Sequence, residues 1–274
     1  LFLNETSKYA HVFLPGSSFL EKDGTFTNAE RRISRVTAAM KPLAGLADWE
    51  VTMALSNALG YKMHYNHPSE IMDEIAELTP TFSGVSYKLL DQVGSIQWPC
   101  NEQAPIGTPI MHVDKFVRGS GLFMITDYIP TNEKTGPRFP LILTTGRVLS
   151  QYNVGVQSRR TKNNIWYSED VLDINPFDAE TRGINNGDYV SLQSRKGATK
   201  LKARFSNRLQ PGVVYTTFHH PETEANVITT EFSDWATNCP EYKVTAVEVR
   251  LSNSVEGNKN KNISESPRKL MNFA

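Results

Sequence analysis

The sequence has little cysteine, and this scarcity excludes one class of cofactor site. Cys100 and Cys239 are the only cysteines among the 274 residues. Two thiolates cannot supply the four ligands that an iron–sulfur cluster requires. Two buried free thiols are the favoured interpretation, with a single disulfide as the alternative.

Long apolar runs and an excess of one charge are also missing. No stretch reaches the roughly 18 apolar residues of a membrane helix, and the opening LFLNETSKYAHVFLPG lacks the basic and apolar regions of a signal peptide. Lys plus Arg (29) equals Asp plus Glu (29), whereas a nucleic-acid-binding face needs clustered basic residues. These absences predict a cytoplasmic protein with no nucleic-acid or membrane partner. The chain also lacks an initiating methionine, and we expect it to be a fragment.

The first half of the chain combines one short apolar run with helical signals. Residues 9–14 (YAHVFL) predict a buried strand, and residues 21–32 predict a polar loop. Asp48 is predicted to cap a helix that ends before Gly60, which suits a left-handed C-terminal position. The predicted helices cover residues 48–59, 69–78 and 85–93. Residues 95–137 are rich in Gly and Pro and predict an irregular crossover.

From Phe139 onward the pattern becomes typical of strands. Residues 189–195 and 199–205 alternate apolar and polar side chains around Lys196-Gly197, which predicts a hairpin. Further strands are predicted over residues 139–144, 213–218 and 244–249. About five short strands with little helix predict a small barrel. The polar residues from 252 to 274 predict a disordered tail.

A polar segment, residues 144–153 (TTGRVLSQYN), follows the first of these strands. Gly146 permits close approach of the backbone to a ligand, and the planar guanidinium of Arg147 suits a phosphate. The surrounding Thr, Ser, Gln and Asn side chains add neutral donors and acceptors. A phosphate or nucleotide site is one interpretation, and a solvated turn at the end of a strand is the other.

Two later segments also carry polar side chains next to strands. His219 and His220 are adjacent, but neighbouring side chains on a strand point to opposite faces, and no third ligand lies at a spacing typical of a metal site. Hydrogen bonding to a ligand, or plain loop structure, is favoured instead. Lys243 is suited to neutralising a phosphate, whereas Cys239 has no evident base partner and is interpreted as a structural thiol.

Four segments, considered together, resemble the molybdopterin oxidoreductases. EKDGTFTNAERR (21–32), which follows AHVFLP, is similar to the signature near the end of that family's third domain. TGR (145–147), YN (152–153) and RR (159–160) resemble the opening of the family's C-terminal cofactor-binding domain. The rest of that domain is resembled by PGVV (211–214), FH (218–219), Asn226 and PEYK (240–243).

The resemblance implies an α/β end-piece of a molybdopterin-oxidoreductase domain followed by a mainly β, double-psi β-barrel-like domain. Residues 1–60 would be the C-terminal part of the α/β domain, and residues 61–137 a helical and irregular crossover. Residues 138–251 would form the barrel domain that binds a molybdopterin dinucleotide, and residues 252–274 the tail.

The resemblance also assigns cofactor contacts, residue by residue. Leu149 would act through its backbone. The implied cofactor-binding residues are Thr145, Gly146, Arg147, Leu149, Gln151, Asn153, His219, Asn226, Tyr242 and Lys243. The family's metal-ligating cysteine or selenocysteine, the adjacent histidine and the substrate-binding arginine match nothing in this chain. We therefore expect no catalytic residue and no metal ligand here.

Within the family, GSIQWP (94–99), TPIMH (108–112) and FSDWATN (232–238) look most like the α-subunit of NAD-dependent formate dehydrogenases. That likeness implies two molybdopterin guanine dinucleotides on one molybdenum or tungsten. It also implies that iron–sulfur clusters lie in an upstream part of the α-subunit. The α-subunit of such enzymes oxidises formate to carbon dioxide. The implied partners are the remainder of the α-subunit and the flavin/NAD-binding and iron–sulfur subunits.

Three other interpretations remain open at this point. The same module occurs in other molybdenum enzymes such as nitrate reductases. A structural subunit could keep the fold without the cofactor, and an isolated barrel could serve as a protein-interaction module. The joint presence of Arg147, Asn226 and Lys243 argues against loss of the cofactor.

Overall fold

A computed structural model of the chain describes residues 1–252, which divide into two compact units. One unit comprises Thr6–Ile125, and the other comprises residues 126–252 together with Phe2–Glu5. Beyond its first residue, the predicted tail (252–274) lies outside the described residues. Within the described chain, no helix is long and apolar enough to cross a membrane.

The first unit contains a small antiparallel sheet and three helices, of which the second and third contribute to its buried cluster. Its elements are β1 (Gly24–Thr27), β2 (Arg32–Val36), α1 (Asp48–Ala58), α2 (Pro68–Leu78), α3 (Tyr87–Val93) and β3 (Ser95–Gln97). β2 is the central strand and pairs antiparallel with β1 and β3. Its inward residue Ile33 packs with Met72, Leu90 and Ile96 in one buried cluster.

All three predicted helices are confirmed, but the first is capped differently from our expectation. The N-cap is Ala47, whose backbone N–H donates to the Glu50 carboxylate at 2.6 Å. Ala47 has no side-chain acceptor, so only this half of a capping box is formed. Asp48 instead accepts from the backbone N–H of Ser17 at 2.8 Å and pairs with Lys22. Asp48 is the first residue of the helix and not the residue before it, so its side chain does not occupy the N-cap position.

Two other predictions for this unit are wrong. Residues 9–14 do not form a buried strand: they are exposed, and a 3₁₀ turn (Thr6–Tyr9) precedes them. A strand needs a neighbour for its backbone groups, and none is present for this run among the described residues. The predicted loop over 21–32 contains β1 and the start of β2, because Asn28 accepts from the backbone N–H groups of Glu30 and Arg32 and thereby closes a hairpin turn.

The two cysteines are free, as expected, but only one is buried. Cys100 lies in the core of the first unit, where burial raises the pKa of its thiol. Cys239 is exposed, which contradicts the prediction of two buried thiols. It lies in an irregular stretch where its backbone N–H donates to Asp234 at 2.8 Å. A residue held through its backbone can leave its side chain in solvent.

The second unit is a closed six-stranded β-barrel, as predicted for this region. Its elements are β4 (Leu141–Gly146), β5 (Val171–Ile174), α4 (Pro176–Glu180), β6 (Tyr189–Gln193), β7 (Ala198–Phe205), β8 (Val213–Thr217), α5 (Ala225–Ile228) and β9 (Thr245–Leu251). The strand order is β4-β8-β5-β7-β6-β9. The pairs β4·β8 and β5·β7 are parallel, and the other pairs are antiparallel. Two parallel pairs within an otherwise antiparallel barrel agree with a double-psi-like barrel.

Alternation of side chains along the strands fills the barrel. In β4, Leu141 and Leu143 point inward, and in β6 Val190 and Leu192 do the same. The predicted hairpin of residues 189–205 is confirmed as the antiparallel pair β6·β7. The prediction missed β5, because VLDI is too short to show alternation and three of its four residues are buried.

The register between β4 and β8 determines where the polar segments begin. Gly146, the last residue of β4, is directly paired with Thr217, the last residue of β8. Because the two strands run parallel, the segments that follow them leave the barrel at the same end. Near this end β4 also pairs antiparallel with β9, where Leu143 faces Thr245. The segment that leads into β9 therefore arrives at the same place.

We predict that truncating the barrel core destabilises this unit strongly. Leu172 is fully buried in the core cluster, so Leu172→Ala should lower the free energy of unfolding by about 2–5 kcal/mol. Leu251→Ala, on the 45% exposed last residue of β9, should cost less than about 1 kcal/mol. Urea unfolding followed by circular dichroism measures both variants. Equal effects of the two substitutions would contradict the described core.

Candidate functional site

A fully buried histidine fixes both ends of the segment after β4. The Nε2 atom of His219 accepts from the backbone N–H of Val148 at 3.0 Å, and its Nδ1 donates to the backbone carbonyl of Asn153. An N–H can only donate and a carbonyl can only accept. The imidazole is therefore neutral, with its proton on Nδ1. His219 is 0% exposed, so both of its ring nitrogens are used by the protein itself.

The middle of the same segment is anchored by a buried amide. Gln151 donates from Nε2 to the backbone carbonyl of Tyr167 at 2.9 Å, and its Oε1 accepts from the Ser158 hydroxyl at 2.6 Å. The Ser158 oxygen in turn accepts from the backbone N–H of Tyr152 at 2.9 Å. These bonds tie residues 151–152 to the following segment, so the loop is held at its centre as well as at its ends.

Two glycines allow this close packing. Gly155 has a φ of +70°, and a Cβ there would lie 2.4 Å from the carbonyl oxygen of His219. At Gly146 a Cβ would lie 2.6 Å from the Tyr215 hydroxyl oxygen. The Tyr215 hydroxyl donates to the backbone carbonyl of Arg147 at 3.2 Å. A larger side chain at Gly155 would therefore displace the loop, and one at Gly146 would displace the Tyr215 ring.

The segment before β9 is bound to the end of β4. The hydroxyl of Thr145 donates to the backbone carbonyl of Tyr242 at 3.0 Å, and the Lys243 ammonium donates to the backbone carbonyl of Thr145 at 3.0 Å. Thr145 is buried, whereas Tyr242 and Lys243 are exposed. An ammonium has three donors, so Lys243 keeps further donors for another group at this place.

Arg147 projects from this rigid framework without an acidic partner. Its guanidinium lies 5.1 Å from the ring centre of Phe218, and within the described chain no carboxylate lies within 4 Å of it. It lines an open cavity of about 590 Å³. The other lining residues are Val148, Leu149, Ser150, Trp166 and Arg208.

The residues predicted to contact a cofactor fall into two groups in the structure. The buried group consists of Thr145, Gln151 and His219. The outward-facing group consists of Arg147, Leu149, Asn153, Asn226, Tyr242 and Lys243. Gly146 is half-buried between the groups. Leu149 is fully exposed, and Asn226 lies on α5 with no side-chain hydrogen bond within residues 1–252. The parallel and antiparallel pairings of β4 bring most of this set to one end of the barrel.

A buried carboxylate, which the sequence analysis missed, supports the same end of the barrel. Asp170 accepts from the hydroxyls of Thr217 and Thr223 and from the backbone N–H and ring Nδ1 of His220. Burial alone would raise the pKa of Asp170, but these hydrogen bonds outweigh it and the net shift is downward. The only signal in the sequence was an acidic residue directly before the apolar run VLDI.

His220 completes this buried network but leaves one nitrogen unused. Its Nδ1 lies 3.1 Å from the Asp170 carboxylate, and its Nε2 is buried with no hydrogen-bond partner among the described residues. His219 and His220 thus serve different neighbours. Over residues 1–252 no cluster of three or more His, Cys, Asp or Glu side chains could hold a metal ion.

Two family models match the chain. The molydopterin dinucleotide binding domain matches residues 141–246, which cover the site and the barrel up to the start of β9. The molybdopterin oxidoreductase model matches residues 1–58. The chain is also 40% identical over 255 residues to the F420-dependent formate dehydrogenase subunit alpha of Methanocaldococcus jannaschii. The F420-dependent formate dehydrogenase 1 subunit alpha of Methanococcus maripaludis is 38% identical over 255 residues.

These relatives are much longer than the chain. In both, the match covers 91% of this chain but 38% of the relative. Among solved structures, the acetylene hydratase from Pelobacter acetylenicus has a similar fold, with a TM-score of 0.61 at 14% identity. That match covers 87% of this chain and 38% of the hydratase. At such low identity the likeness concerns the fold alone.

We predict that Asp170 contributes stability that depends on pH. Asp170→Asn removes a charged acceptor and places an amide against its donors, which should cost about 2–3 kcal/mol at pH 7. The pKa of Asp170 is lowered in the folded state, so its contribution is complete above the unfolded value of about 3.9. It is lost as the pH falls through the lower folded pKa.

Urea unfolding at pH 7 and at successively lower pH measures this effect. The difference between wild type and Asp170→Asn should shrink below about pH 4. Glu169→Gln is the matched control, because Glu169 only pairs with Lys202 on the surface and should contribute less than about 1 kcal/mol. A difference that stays constant down to acidic pH would contradict the buried charge.

Proposed function

This chain belongs to the molybdopterin oxidoreductase family, and on that premise we propose that its barrel binds the dinucleotide end of the pterin cofactor. The outward-facing residues around residues 145–153 and 240–243 would make the contacts. One observation carries the proposal: Arg147 is held at the edge of a cavity by a loop fixed at both ends, and it has no carboxylate partner within the described residues.

The donor set of the site fits a pyrophosphate. A guanidinium stays charged at working pH and can meet phosphate oxygens with paired hydrogen bonds. Lys243 adds a second positive charge that retains unused donors. Exposed Asn153 and Asn226 offer amide donors and acceptors for a base or a sugar. A site with these groups needs an anion to balance its charge.

The buried members of the predicted set have a different role in this proposal. His219, Gln151 and Thr145 use their polar atoms on the protein, so they act as positioning residues rather than as direct contacts. They hold the backbone of residues 147–153 in one conformation. A preorganised loop binds a ligand without losing its own conformational freedom at that moment. Leu149, with its exposed side chain, would contribute through its backbone.

We propose that the cofactor is present as two guanine dinucleotides on one molybdenum or tungsten. When bound, it would supply the redox chemistry of the intact enzyme, while this chain would supply orientation and electrostatics. The metal ligand, the substrate-binding arginine and the iron–sulfur clusters would come from the remainder of the α-subunit. We assign no catalytic residue to this chain.

The proposed activity of the intact protein is formate oxidation to carbon dioxide. The names of the relatives support this assignment, since both are formate dehydrogenase α-subunits. We propose partner subunits that carry flavin and iron–sulfur centres. NAD stays our predicted final acceptor, although the relatives are named as F420-dependent. Assays of the intact enzyme with NAD and with F420 as alternative acceptors would decide between them.

We predict that Arg147→Ala in the intact enzyme lowers bound molybdenum (or tungsten) and activity together. Loss of a charge-assisted phosphate contact should weaken cofactor binding by about 1.5–3 kcal/mol. Arg147→Lys should rescue the metal content only partly, because lysine carries the charge without the planar fork. Metal analysis and formate-dependent dye reduction are the measurements.

Arg250→Ala is the matched control for Arg147→Ala. Arg250 is an exposed arginine of the same barrel whose partner is Glu248, and its loss should change neither metal content nor activity. Circular dichroism should show that the Arg147 variants keep the wild-type fold. Full metal content and full activity of Arg147→Ala at limiting cofactor supply would overturn the phosphate role.

We further predict that the 274-residue chain alone does not oxidise formate. No residue of the chain matches the family's metal ligand, so a bound cofactor would lack its metal attachment. The measurement is formate-dependent dye reduction by the purified chain, against a control that contains free cofactor only. Turnover above that control would contradict the assignment of the chemistry to the remainder of the protein.

A further inference from the structure

We infer that Trp166 and Arg208 form a second wall of the cavity at Arg147 and that the cavity takes a nucleoside diphosphate. Arg208 would bind a phosphate, and Trp166 would stack on the base. This inference rests on the proposed function and extends it, because neither residue belongs to the segments that indicated a cofactor site. Both residues line the same 590 Å³ cavity as Arg147.

The arginines of the barrel differ in whether they have a carboxylate partner. Four of them have a carboxylate within 4 Å. These paired arginines are Arg182, Arg195, Arg204 and Arg250. Five others have no such partner in the part of the chain that the structure describes: Arg138, Arg147, Arg159, Arg160 and Arg208. Of these five, Arg147 and Arg208 line the cavity. Two unpaired guanidinium groups on one cavity repel each other, and an anion placed between them would remove that repulsion.

Tyr215 contacts the backbone at Arg147. Its hydroxyl donates to the backbone carbonyl of Arg147 at 3.2 Å. Burial raises the pKa of Tyr215, and Arg208 is among the charges close enough to act on it in the opposite direction. The Tyr215 hydroxyl therefore stays protonated and keeps its hydrogen bond at neutral pH. Arg208 lies in the segment between β7 and β8 and lines the same cavity as Arg147.

Trp166 provides the flat apolar surface of the cavity. Its side chain is 75% exposed, while its backbone N–H is held by the carbonyl of Asn163 at 3.1 Å. The next residue, Tyr167, accepts from Gln151 through its backbone carbonyl. Trp166 is therefore connected to the loop that carries Arg147. An indole fixed through its backbone, with its face in solvent, is suited to stack on a nucleobase.

The test uses the purified 274-residue chain and GDP as the probe, with binding measured by calorimetry. Arg208→Ala should weaken GDP binding at least tenfold, the loss expected of a charge-assisted contact. Arg208→Lys should restore part of the affinity. Trp166→Ala should also weaken GDP binding, whereas Trp166→Phe should keep most of it because a phenyl ring still stacks.

Inorganic pyrophosphate separates the two roles. Arg208→Ala should weaken pyrophosphate binding, but Trp166→Ala should leave it unchanged, since pyrophosphate has no base. Trp235→Ala and Arg250→Ala are the matched controls, because both residues are exposed on the same unit and do not line the cavity. Loss of pyrophosphate affinity in Trp166→Ala would overturn the stacking role.

The outcomes distinguish this inference from the proposed function. If Arg147→Ala abolishes GDP binding while Arg208→Ala and Trp166→Ala bind like wild type, the second wall is wrong and the proposed function stands. If the wild-type chain binds neither GDP nor pyrophosphate, both fail. In the intact cofactor-loaded enzyme we expect no binding of added GDP, because the cofactor's nucleotide end fills the cavity. If the cofactor-loaded enzyme does bind added GDP, and this binding depends on Arg208, then the cavity is a site for free nucleotide and not for the nucleotide end of the cofactor.

Discussion

The candidate site depends on one neutral imidazole. His219 joins the start and the end of a six-residue backbone stretch (148–153) through its two ring nitrogens, and it can do so only in one tautomer. If the ring gained a second proton, Nε2 could no longer accept from Val148. Arg147 and Leu149 lie on or next to the stretch of backbone that this pair of hydrogen bonds holds.

The polar groups buried beneath the site explain why the loop can be so well ordered. An unpaired polar group in the interior is costly, whereas a paired one favours a single arrangement. Asp170, Gln151 and Thr145 are satisfied by several donors or acceptors. His220 and Arg159 are exceptions, because the Nε2 of His220 and the Nε of Arg159 are buried without a partner among the described residues. The outward-facing side chains contribute charge and apolar surface, and the buried ones supply their fixed positions.

Much of the barrel could be predicted from the sequence, because alternation directly reflects which side chains face the core. The segment YVSLQ (β6) shows that alternation. The segment VLDI (β5) is too short and too uniformly apolar to show it, so β5 was not predicted. The run YAHVFL has a strand-like composition, yet pairing depends on a neighbour that a single segment cannot reveal. Likewise, motifs indicated His219 and Arg147 together, but only burial separates the positioning residue from the exposed one. Arg208 and Trp166 could not be predicted, since their relation to Arg147 exists only through the folded chain.

The parallel pairing of β4 with β8 also has a kinetic consequence. Gly146 and Thr217 are neighbours in the barrel although a long stretch of chain separates them, and β9 must close against β4 from still farther along. Contacts between distant segments form slowly, because the chain loses the entropy of loop closure before the new contacts compensate for that loss. We therefore expect the cavity at Arg147 to form late in folding, when the barrel closes. A nucleotide that recognises this cavity would bind the closed barrel and not its precursors, so binding would draw the folding equilibrium toward the native state.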